Sequence, residues 1–254
     1  MDALAEAIEC FCTGFTYTRS FTFPYVVDRY PGMWVMRDEV PRKFDTRNSE
    51  VVVLDLDPKE AAKQLRQLKC GRFYLAAMNR PGQDVNETKR AYKAEHFRLM
   101  RSEPMFVCRV GKHIKAPSEC RMTRIVNQPD ADRVAAAAGR PQIREKDMVE
   151  GAPLRLFAAW EGDGPVAWVR SIRTNPTTSW VSNLYVKPTH RRMGIGRALM
   201  SFLLDDDGGR GIGTSILLAS SDGAKLYPLL GYCQIGTLQL FSPVKSHWDF
   251  SWDG

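Results

Sequence analysis

The chain has 254 residues, of which 44% are hydrophobic and 26% charged, a composition that predicts a folded protein with a buried core. Its 36 Lys and Arg against 29 Asp and Glu give a net charge of +7, but the basic residues are scattered, so no nucleic-acid-binding face is expected. No run of about 18 apolar residues occurs, and the acidic stretch MDALAEAIE at the start does not resemble a signal peptide. We therefore expect a cytoplasmic protein without membrane association.

The cysteine spacing argues against a metal site. The six cysteines are spread along the chain, no Cys-x-x-Cys pair occurs, and Cys10 and Cys12 lack a second pair of ligands. We expect reduced, buried thiols and no bound metal.

Four short segments of the first half have counterparts, in the same order, in the second half. The pairs are MWVMR (33–37) with AWVRS (167–171), LDLDP (54–58) with LYVKP (184–188), RFYLAAM (72–78) with TSILLAS (214–220), and Tyr92–Phe97 with Tyr227–Tyr232. Because all four keep one order, the sequence indicates an internal duplication. The copies differ in one place, since the second has THRRMGIGRALM where the first has only KEAAKQL and no glycines.

A break in composition separates the two halves. Residues 111–119 contain Gly111 and Pro117 and very few apolar side chains, which is typical of a linker. The predicted organisation is therefore a domain over 1–110, a linker over 111–119 and a second domain over 120–254.

The second half reads as alternating strands and helices. In chain order we predict a strand at 120–126, a helix over 131–138 ended by Gly139, a hairpin of 154–160 and 165–172, a strand at 180–186, an amphipathic helix over 198–205, a strand at 214–220 and a short helix within 222–232 closed by Gly231. This order predicts an α/β fold with a mixed sheet.

The segment Arg191–Arg197, of sequence RRMGIGR, lies between a predicted strand and a predicted helix. The first turn of a helix leaves about four backbone N–H groups without intrahelical acceptors, at the positive end of the helix dipole. Gly194 and Gly196 remove the Cβ atoms that would keep a phosphate from that backbone, and three arginines add positive charge. The pattern predicts a site for a diphosphate or a similar polyanion.

Two other nucleotide-binding motifs fit this segment less well. A Walker P-loop requires Gly-Lys-Ser/Thr, and no such triplet follows Gly196. A dinucleotide fingerprint requires a third glycine where this chain has Leu199.

The second half resembles the GNAT superfamily of acyl-CoA N-acyltransferases. Arg191-x-x-Gly194-x-Gly196 satisfies the family's Arg/Gln-x-x-Gly-x-Gly/Ala motif, the preceding LYVKP matches its strand-end pattern, and LYPLLGY matches its later helix-and-strand pattern. The resemblance covers about residues 120–241. It implies two tandem GNAT-like α/β mixed-sheet domains, of which the N-terminal one is degenerate and lacks a phosphate loop.

The resemblance implies which residues would bind acetyl-CoA. The strand backbone would hold the pantetheine arm, the loop would hold the diphosphate, and a serine stands where many relatives have an asparagine that contacts the arm. These residues are Leu184, Tyr185, Val186, Arg191, Arg192, Met193, Gly194, Ile195, Gly196, Arg197 and Ser220. Ser220 is equally compatible with a simple turn residue.

Tyr227 stands where the family's general acid usually lies. A phenol has a pKa near 10 and is protonated at neutral pH, so it can give a proton to the thiolate that leaves. The alternative is a tyrosine that only packs in the core. Tyr92, the counterpart in the first half, has no phosphate loop beside it and is expected to be structural.

No general base is identified. Many relatives have a Glu on the strand before the loop, but this chain has Ser182 and Asn183 there. A water chain or a carboxylate after the first helix could substitute, although solvated surface is the simpler interpretation of each. The candidates are Glu145, Asp147 and Glu150, and His190 is expected at the rim of the loop.

The predicted function is transfer of an acetyl group from acetyl-CoA to a primary amine by direct attack in a ternary complex. The alternatives are a non-catalytic acyl-CoA-binding sensor and, on charge alone, a nucleic-acid or protein-interaction module. The acceptor would be a small-molecule or peptide amine, and Arg140, Arg144 and Lys146 favour one with a carboxylate or phosphate. A homodimer is compatible with the sequence and is left open.

Overall fold

The computed structural model describes residues 2–40, 47–68, 71–111, 118–221 and 223–248, so the predicted linker lies mostly outside the described residues. The α-helices are α1 (Ala3–Arg19), α2 (Pro58–Leu68), α3 (Val85–Ala94), α4 (Gln128–Ala138) and α5 (Ile195–Gly209). The strands are β1 (Tyr25–Tyr30), β2 (Met33–Asp38), β3 (Ser49–Leu54), β4 (Phe73–Asn79), β5 (Phe97–Arg109), β6 (Arg121–Arg124), β7 (Leu154–Glu161), β8 (Gly164–Asn175), β9 (Thr178–Val186), β10 (Thr214–Leu218) and β11 (Cys233–Pro243).

The order helix, three strands, helix, strand, helical segment, strand occurs twice, as an internal duplication predicts. It runs from α1 to β5 in the first half and from α4 to β11 in the second. The fold is mixed α/β, as the sequence predicts.

The chain divides into two compact units. Unit 1 comprises Met1–Met105 and Gln234–Gly254, and unit 2 comprises Phe106–Cys233. This division differs from the predicted domains over 1–110 and 120–254, because the last strand of the chain belongs to unit 1. There β11 pairs with β4 in antiparallel fashion, with Thr237 opposite Asn79.

Unit 1 has its strands in the order β1, β2, β3, β4 and β11. β3 and β4 are parallel, with Val51 opposite Leu75. Both strands consist mostly of apolar residues, since nearly all of their side chains are buried. α2 forms the crossover between them. It begins at Pro58, a residue suited to the first helical position because it has no N–H to satisfy.

Unit 2 has the strand order β10, β9, β8, β7 and β6, with the C-terminal end of β5 beside β10. β7 and β8 form the predicted hairpin, and β9 and β10 are parallel. α4 begins at the Asn127 cap and ends at Gly139, whose φ of 70° is the left-handed conformation that glycine adopts without strain.

α5 is held on one face of this sheet by apolar packing and by a buried carboxylate. Leu199 and Leu203 lie in the same core cluster as Val169 and Val181 of the sheet. Near the end of the helix, Asp207 accepts hydrogen bonds from Ser171 Oγ at 2.9 Å and from Ser179 Oγ at 2.6 Å. These contacts fix the helix that follows the glycine-rich loop.

The segment predicted as one short helix within 222–232 is helical, but it is not a single helix. The described residues there form two turns of 3₁₀ helix, Gly223–Lys225 and Tyr227–Leu230. Pro228 explains the difference, because it has no N–H for an α-helical hydrogen bond and disfavours α conformation in the residue before it. Gly231 closes the second turn with a φ of 82°, as predicted.

Candidate active site

β9 and β10 diverge soon after they start. They pair only from Thr178 opposite Thr214 to Trp180 opposite Ile216. From Val181 to Val186, β9 is paired with β8 on its other side only. The backbone groups that face the gap can therefore bind an extended ligand as an added strand would. Leu184, Tyr185 and Val186 lie in this stretch.

A β-bulge lies where β9 leaves β10. The register shifts between Trp168 opposite Tyr185 and Arg170 opposite Ser182, and Asn183 in the bulge has a φ of 56°. Bulges bend a strand and increase its twist, which accounts for the divergence.

The glycine-rich loop lies at a strand-to-helix junction and is open. Gly194 is the N-cap of α5 with a φ of 76°, and no side chain caps this helix. A Cβ added at Gly194 would meet nothing within 4 Å. No described residue accepts a hydrogen bond from the backbone N–H groups of residues 192–197, and the first helical bond is from Ala198 N to Gly194 O at 3.0 Å. These amides are available to an anion.

Positive charge surrounds these amides. Arg191, Arg192 and Arg197 are all exposed, and no described carboxylate forms an ion pair with them. Arg191 Nε donates to Val186 O at 3.1 Å, which anchors the loop to the end of β9. His190 lies at the rim, 3.1 Å from Glu161 through Nε2.

Gly196 is where the loop, β9 and the segment before Tyr227 come together. A Cβ added there would lie 3.5 Å from Val186 Cγ2 and 3.7 Å from Leu226 Cδ2. The structure thus brings together three of the segments that the sequence singles out.

Tyr227 is buried, with 6% of its surface exposed, against the rings of Phe106 and Tyr232 at 5.8 and 5.6 Å. Burial raises the pKa of its phenol to about 12, so the hydroxyl is protonated throughout the neutral range. This hydroxyl makes no hydrogen bond with a described residue and lies 3.8 Å from the position of a Cβ at Gly223.

Ser220 and Tyr92 have structural contacts. Ser220 Oγ accepts a hydrogen bond from Gly223 N at 3.3 Å, which stabilises the turn that leads to Tyr227. Tyr92 is buried in unit 1, with its ring 4.9 Å from that of Phe241 and 5.8 Å from that of Phe97.

Two of the three acids considered as bases are held in ion pairs. Glu150 contacts Arg210 and, at 3.1 Å, Arg124, and these arginines lower the pKa of its carboxyl to about 2. Asp147 is buried and accepts from Arg144 Nε at 2.7 Å. Glu145 is exposed.

Arg170 is a site residue that the sequence motifs did not predict. It lies in the middle of β8, in the otherwise largely apolar segment PVAWVRSI, and its Nε is buried without a hydrogen-bond partner among the described residues. A lone charged residue in such a strand is the signal that could have found it.

Two further features are absent from the described ranges. Over the described ranges, no three or more His, Cys, Asp or Glu side chains are grouped so that they could bind a metal ion. No helix in the same ranges is long and apolar enough to span a membrane.

One family model matches part of the second half of the chain. Residues 152–234 match the family model described as an acetyltransferase (GNAT) domain. No curated protein is significantly similar to the chain in sequence.

Solved structures show the same fold over nearly the whole chain. A GCN5-related N-acetyltransferase from Kribbella flavida is 14% identical, with a TM-score of 0.66 over 93% of this chain and 95% of that one. A putative GNAT-family acetyltransferase from Novosphingobium aromaticivorans is 14% identical, with a TM-score of 0.54 over 93% and 97%. A tandem GNAT protein from the clavulanic acid biosynthesis pathway is 12% identical, with a TM-score of 0.50 over 94% and 95%. The fold is therefore that of two GNAT-like halves.

Proposed function

We propose that this chain, whose residues 152–234 belong to the GNAT acetyltransferases, is an N-acetyltransferase that uses acetyl-CoA and a primary amine. The observation that carries the proposal is the open, glycine-capped start of α5 directly after a strand that has left its neighbour. The two features together provide donors for a diphosphate and a backbone edge for its extended arm.

The residues fit this coenzyme in two places. The amides of residues 192–197, with Arg191, Arg192 and Arg197 around them, would bind the diphosphate. The backbone edge of Leu184, Tyr185 and Val186, which does not pair with β10, would bind the pantetheine arm. When bound, the coenzyme supplies the acetyl thioester.

Tyr227 is the proposed general acid. The acceptor nitrogen forms a bond to the acetyl carbonyl carbon, the C–S bond breaks, and Tyr227 gives its proton to the departing sulfur. The acceptor amine loses its own proton to solvent, and no side chain is assigned as a base. The products are the N-acetylated amine and the free thiol of CoA.

Unit 1 is proposed to be a degenerate GNAT-like half without a phosphate loop. Its β3-to-α2 connection consists of Asp55, Leu56 and Asp57, with no glycine. The acetyl specificity, the amine acceptor and a cytoplasmic location belong to the same proposal.

Calorimetric titration with CoA tests the carrying observation. The variant Gly194→Val forces a β-branched residue to a positive φ and covers the open amides, and we expect it to weaken CoA binding at least about 100-fold, roughly 2.7 kcal/mol. Gly82→Val is the matched control, because Gly82 has a φ of +84° in open space and belongs to unit 1. Equal CoA affinity in Gly194→Val and wild type would refute the site.

Thiol release distinguishes the proposed enzyme from the second candidate, a non-catalytic acyl-CoA sensor. The sensor is favoured by the absence of an available carboxylate on β9 and by the ion pairing of Glu150. A panel of amines incubated with acetyl-CoA is expected to release free CoA thiol with at least one member. Tight CoA binding without thiol release from any amine would favour the sensor.

A further inference from the structure

Three buried polar atoms without a hydrogen-bond partner among the described residues lie on two neighbouring strands of unit 2. They are Trp168 Nε1 and Arg170 Nε on β8 and Ser182 Oγ on β9. Arg170 is directly opposite Ser182, and Trp168 is opposite Tyr185, on which its ring stacks at 4.6 Å. Cross-strand partners share a face of the sheet, so the three unsatisfied groups lie on one face of two adjacent strands, and we refer to them as the cluster.

This cluster lies on the face away from α5. Val169 and Val181, the chain neighbours of Arg170 and Ser182, pack in the core beneath α5, and successive side chains of a strand point to opposite faces. α4 packs against β8 as well.

The segment that follows α4 is fastened to β9 at this place. Asn183 Nδ2 in the bulge donates to Gln142 Oε1 at 2.6 Å, and Gln142 Nε2 donates to Arg140 O at 3.1 Å. Arg140 thereby adds a second positive charge that acts on Arg170.

Arg170 has no neutralising partner among the described residues of unit 2. No described carboxylate forms an ion pair with it, and its pKa is lowered to about 10, first by burial and then by the charge of Arg140. Arg170 as a whole is partly exposed, but its Nε is buried, and a buried N–H without an acceptor is destabilising. This N–H therefore favours a ligand that can accept its hydrogen bond.

The chemistry of the cluster specifies its ligand. An indole N–H and a guanidinium N–H can only donate hydrogen bonds, and a serine hydroxyl can donate one as well. A ligand that satisfies all three must accept hydrogen bonds, and one that also offsets the positive charge is an anion. A planar carboxylate matches the geometry of a guanidinium.

The position of the cluster indicates that the anion it binds is part of the acceptor and not of the coenzyme. Ser182 lies in the part of β9 that no longer pairs with β10, beside the bulge, whereas the diphosphate site is at the start of α5. On the proposed function, the thioester lies along this part of β9 and the acceptor amine must reach it.

We propose that the acceptor is an amino acid, and that Arg170, Ser182 and Trp168 bind its carboxylate. This inference rests on the proposed function. Arg170 is thus a specificity-determining residue that positions the acceptor amine.

The experiment compares amino acids with their carboxamides as paired probes. Each pair presents the same amine, and only one member carries the anion. Thiol release with acetyl-CoA and thermal shift in the presence of CoA are measured for wild type, Arg170→Gln and Arg170→Lys. Arg173→Gln is the matched control, because Arg173 is an exposed arginine on the same strand.

We expect at least one amino acid to be preferred over its carboxamide about 10-fold or more in kcat/KM by wild type. Arg170→Gln should remove this preference by raising KM for the amino acid alone, while Arg170→Lys should restore part of it. Arg173→Gln should retain it. Without ligand, Arg170→Gln should melt at or above the wild-type temperature, because a buried N–H without an acceptor has been removed.

Two results would overturn the inference: no preference for any carboxylate, or an equal loss with both probes in Arg170→Gln. The proposed function fails separately, if no amine gives thiol release. In that case the thermal shift decides: stabilisation by an amino acid that needs Arg170 supports the carboxylate site, and its absence rejects it.

Discussion

The connection from β3 to α2 in unit 1 and the connection from β9 to α5 in unit 2 hold the same place in the repeated order of elements, but their helices begin in opposite ways. In unit 1, the carboxylate of Asp57 accepts hydrogen bonds from Lys59 N at 2.9 Å and Glu60 N at 3.3 Å. In unit 2, Gly194 has no side chain and the first amides of α5 are free. One helix start is satisfied internally, and the other is open to an external anion.

The difference shows how little is needed to make or abolish an anion site at a helix start. The dipole and the unsatisfied N–H groups are common to both helices. What unit 2 adds is a longer connection, a glycine at a positive φ and arginines in place of Asp55 and Asp57. On the proposed function, the anion site would depend on the absence of an internal acid as much as on the arginines.

The largest expected effect is a difference in kcat between substitutions of Tyr227 and Tyr92, the two tyrosines that correspond in the repeat. Tyr227→Phe should lower kcat about 100-fold or more, because it removes the proton donor, and leave the Kd for CoA unchanged. Tyr92→Phe is the control and should leave kcat unchanged. Steady-state kinetics with a saturating amine and CoA titration measure both. An unchanged kcat in Tyr227→Phe, where chemistry limits the rate, would reject the role of Tyr227.

A second test introduces into the glycine-rich loop of unit 2 an acid like Asp57, which caps α2 in unit 1. Gly194→Asp places a carboxylate at the start of α5, and we expect the Kd for CoA to rise about 100-fold, roughly 2.7 kcal/mol, through repulsion of the diphosphate. Gly194→Asn has the same shape without the charge and tolerates a positive φ equally well, so its loss should be about 10-fold or less. If the two variants bind CoA equally, charge at this helix start is irrelevant.

The reverse change removes the internal cap of unit 1. Asp57→Ala should destabilise the protein by about 1 kcal/mol, since two amides of α2 lose their acceptor. Thermal unfolding should show a decrease in Tm of about 2–4 °C, with unchanged CoA affinity. Asp57→Asn retains a capping oxygen and should keep most of the stability. A fall in CoA affinity in Asp57→Ala would contradict the assignment of the anion site to unit 2.

The smallest expected effect concerns a carboxylate of unit 2. The pKa of Glu150 is lowered to about 2 by Arg210 and Arg124, so its carboxylate is a very weak base and is poorly suited to take a proton from an amine. Glu150→Gln should leave the pH profile of kcat/KM unchanged between pH 6 and pH 9, about the range of amine acetylation assays. Loss of the acidic limb of that profile in Glu150→Gln would make Glu150 the missing base.

Features that depend on local backbone chemistry could be predicted from the sequence. Gly194 and Gly139 were expected at a helix start and a helix end, and both have a positive φ at those places. The hairpin turn at 161–164 and the strand that ends before Pro188 follow the same logic, because glycine and proline act through their own dihedral angles.

Features that depend on pairing between strands could not be predicted. The bulge at Asn183 is set by the register of β9 on β8, and a sequence of WVSNLYV does not encode that register locally. The cluster of Arg170 and Ser182 exists only once those two residues are opposite each other. The membership of β11 in unit 1 likewise depends on a partner strand far away in the sequence.

The pairing of β11 with β4 affects the order in which the two units can finish folding during synthesis. Asn79 Nδ2 donates to Thr237 O, a residue 158 positions later, so β4 can pair with β11 only after all of unit 2 has been synthesised. Unit 2 is contiguous from Phe106 to Cys233 and can close earlier. The half that is translated first thus finishes folding last, and a nascent chain that stops before β11 leaves the buried strand β4 with an exposed, aggregation-prone edge.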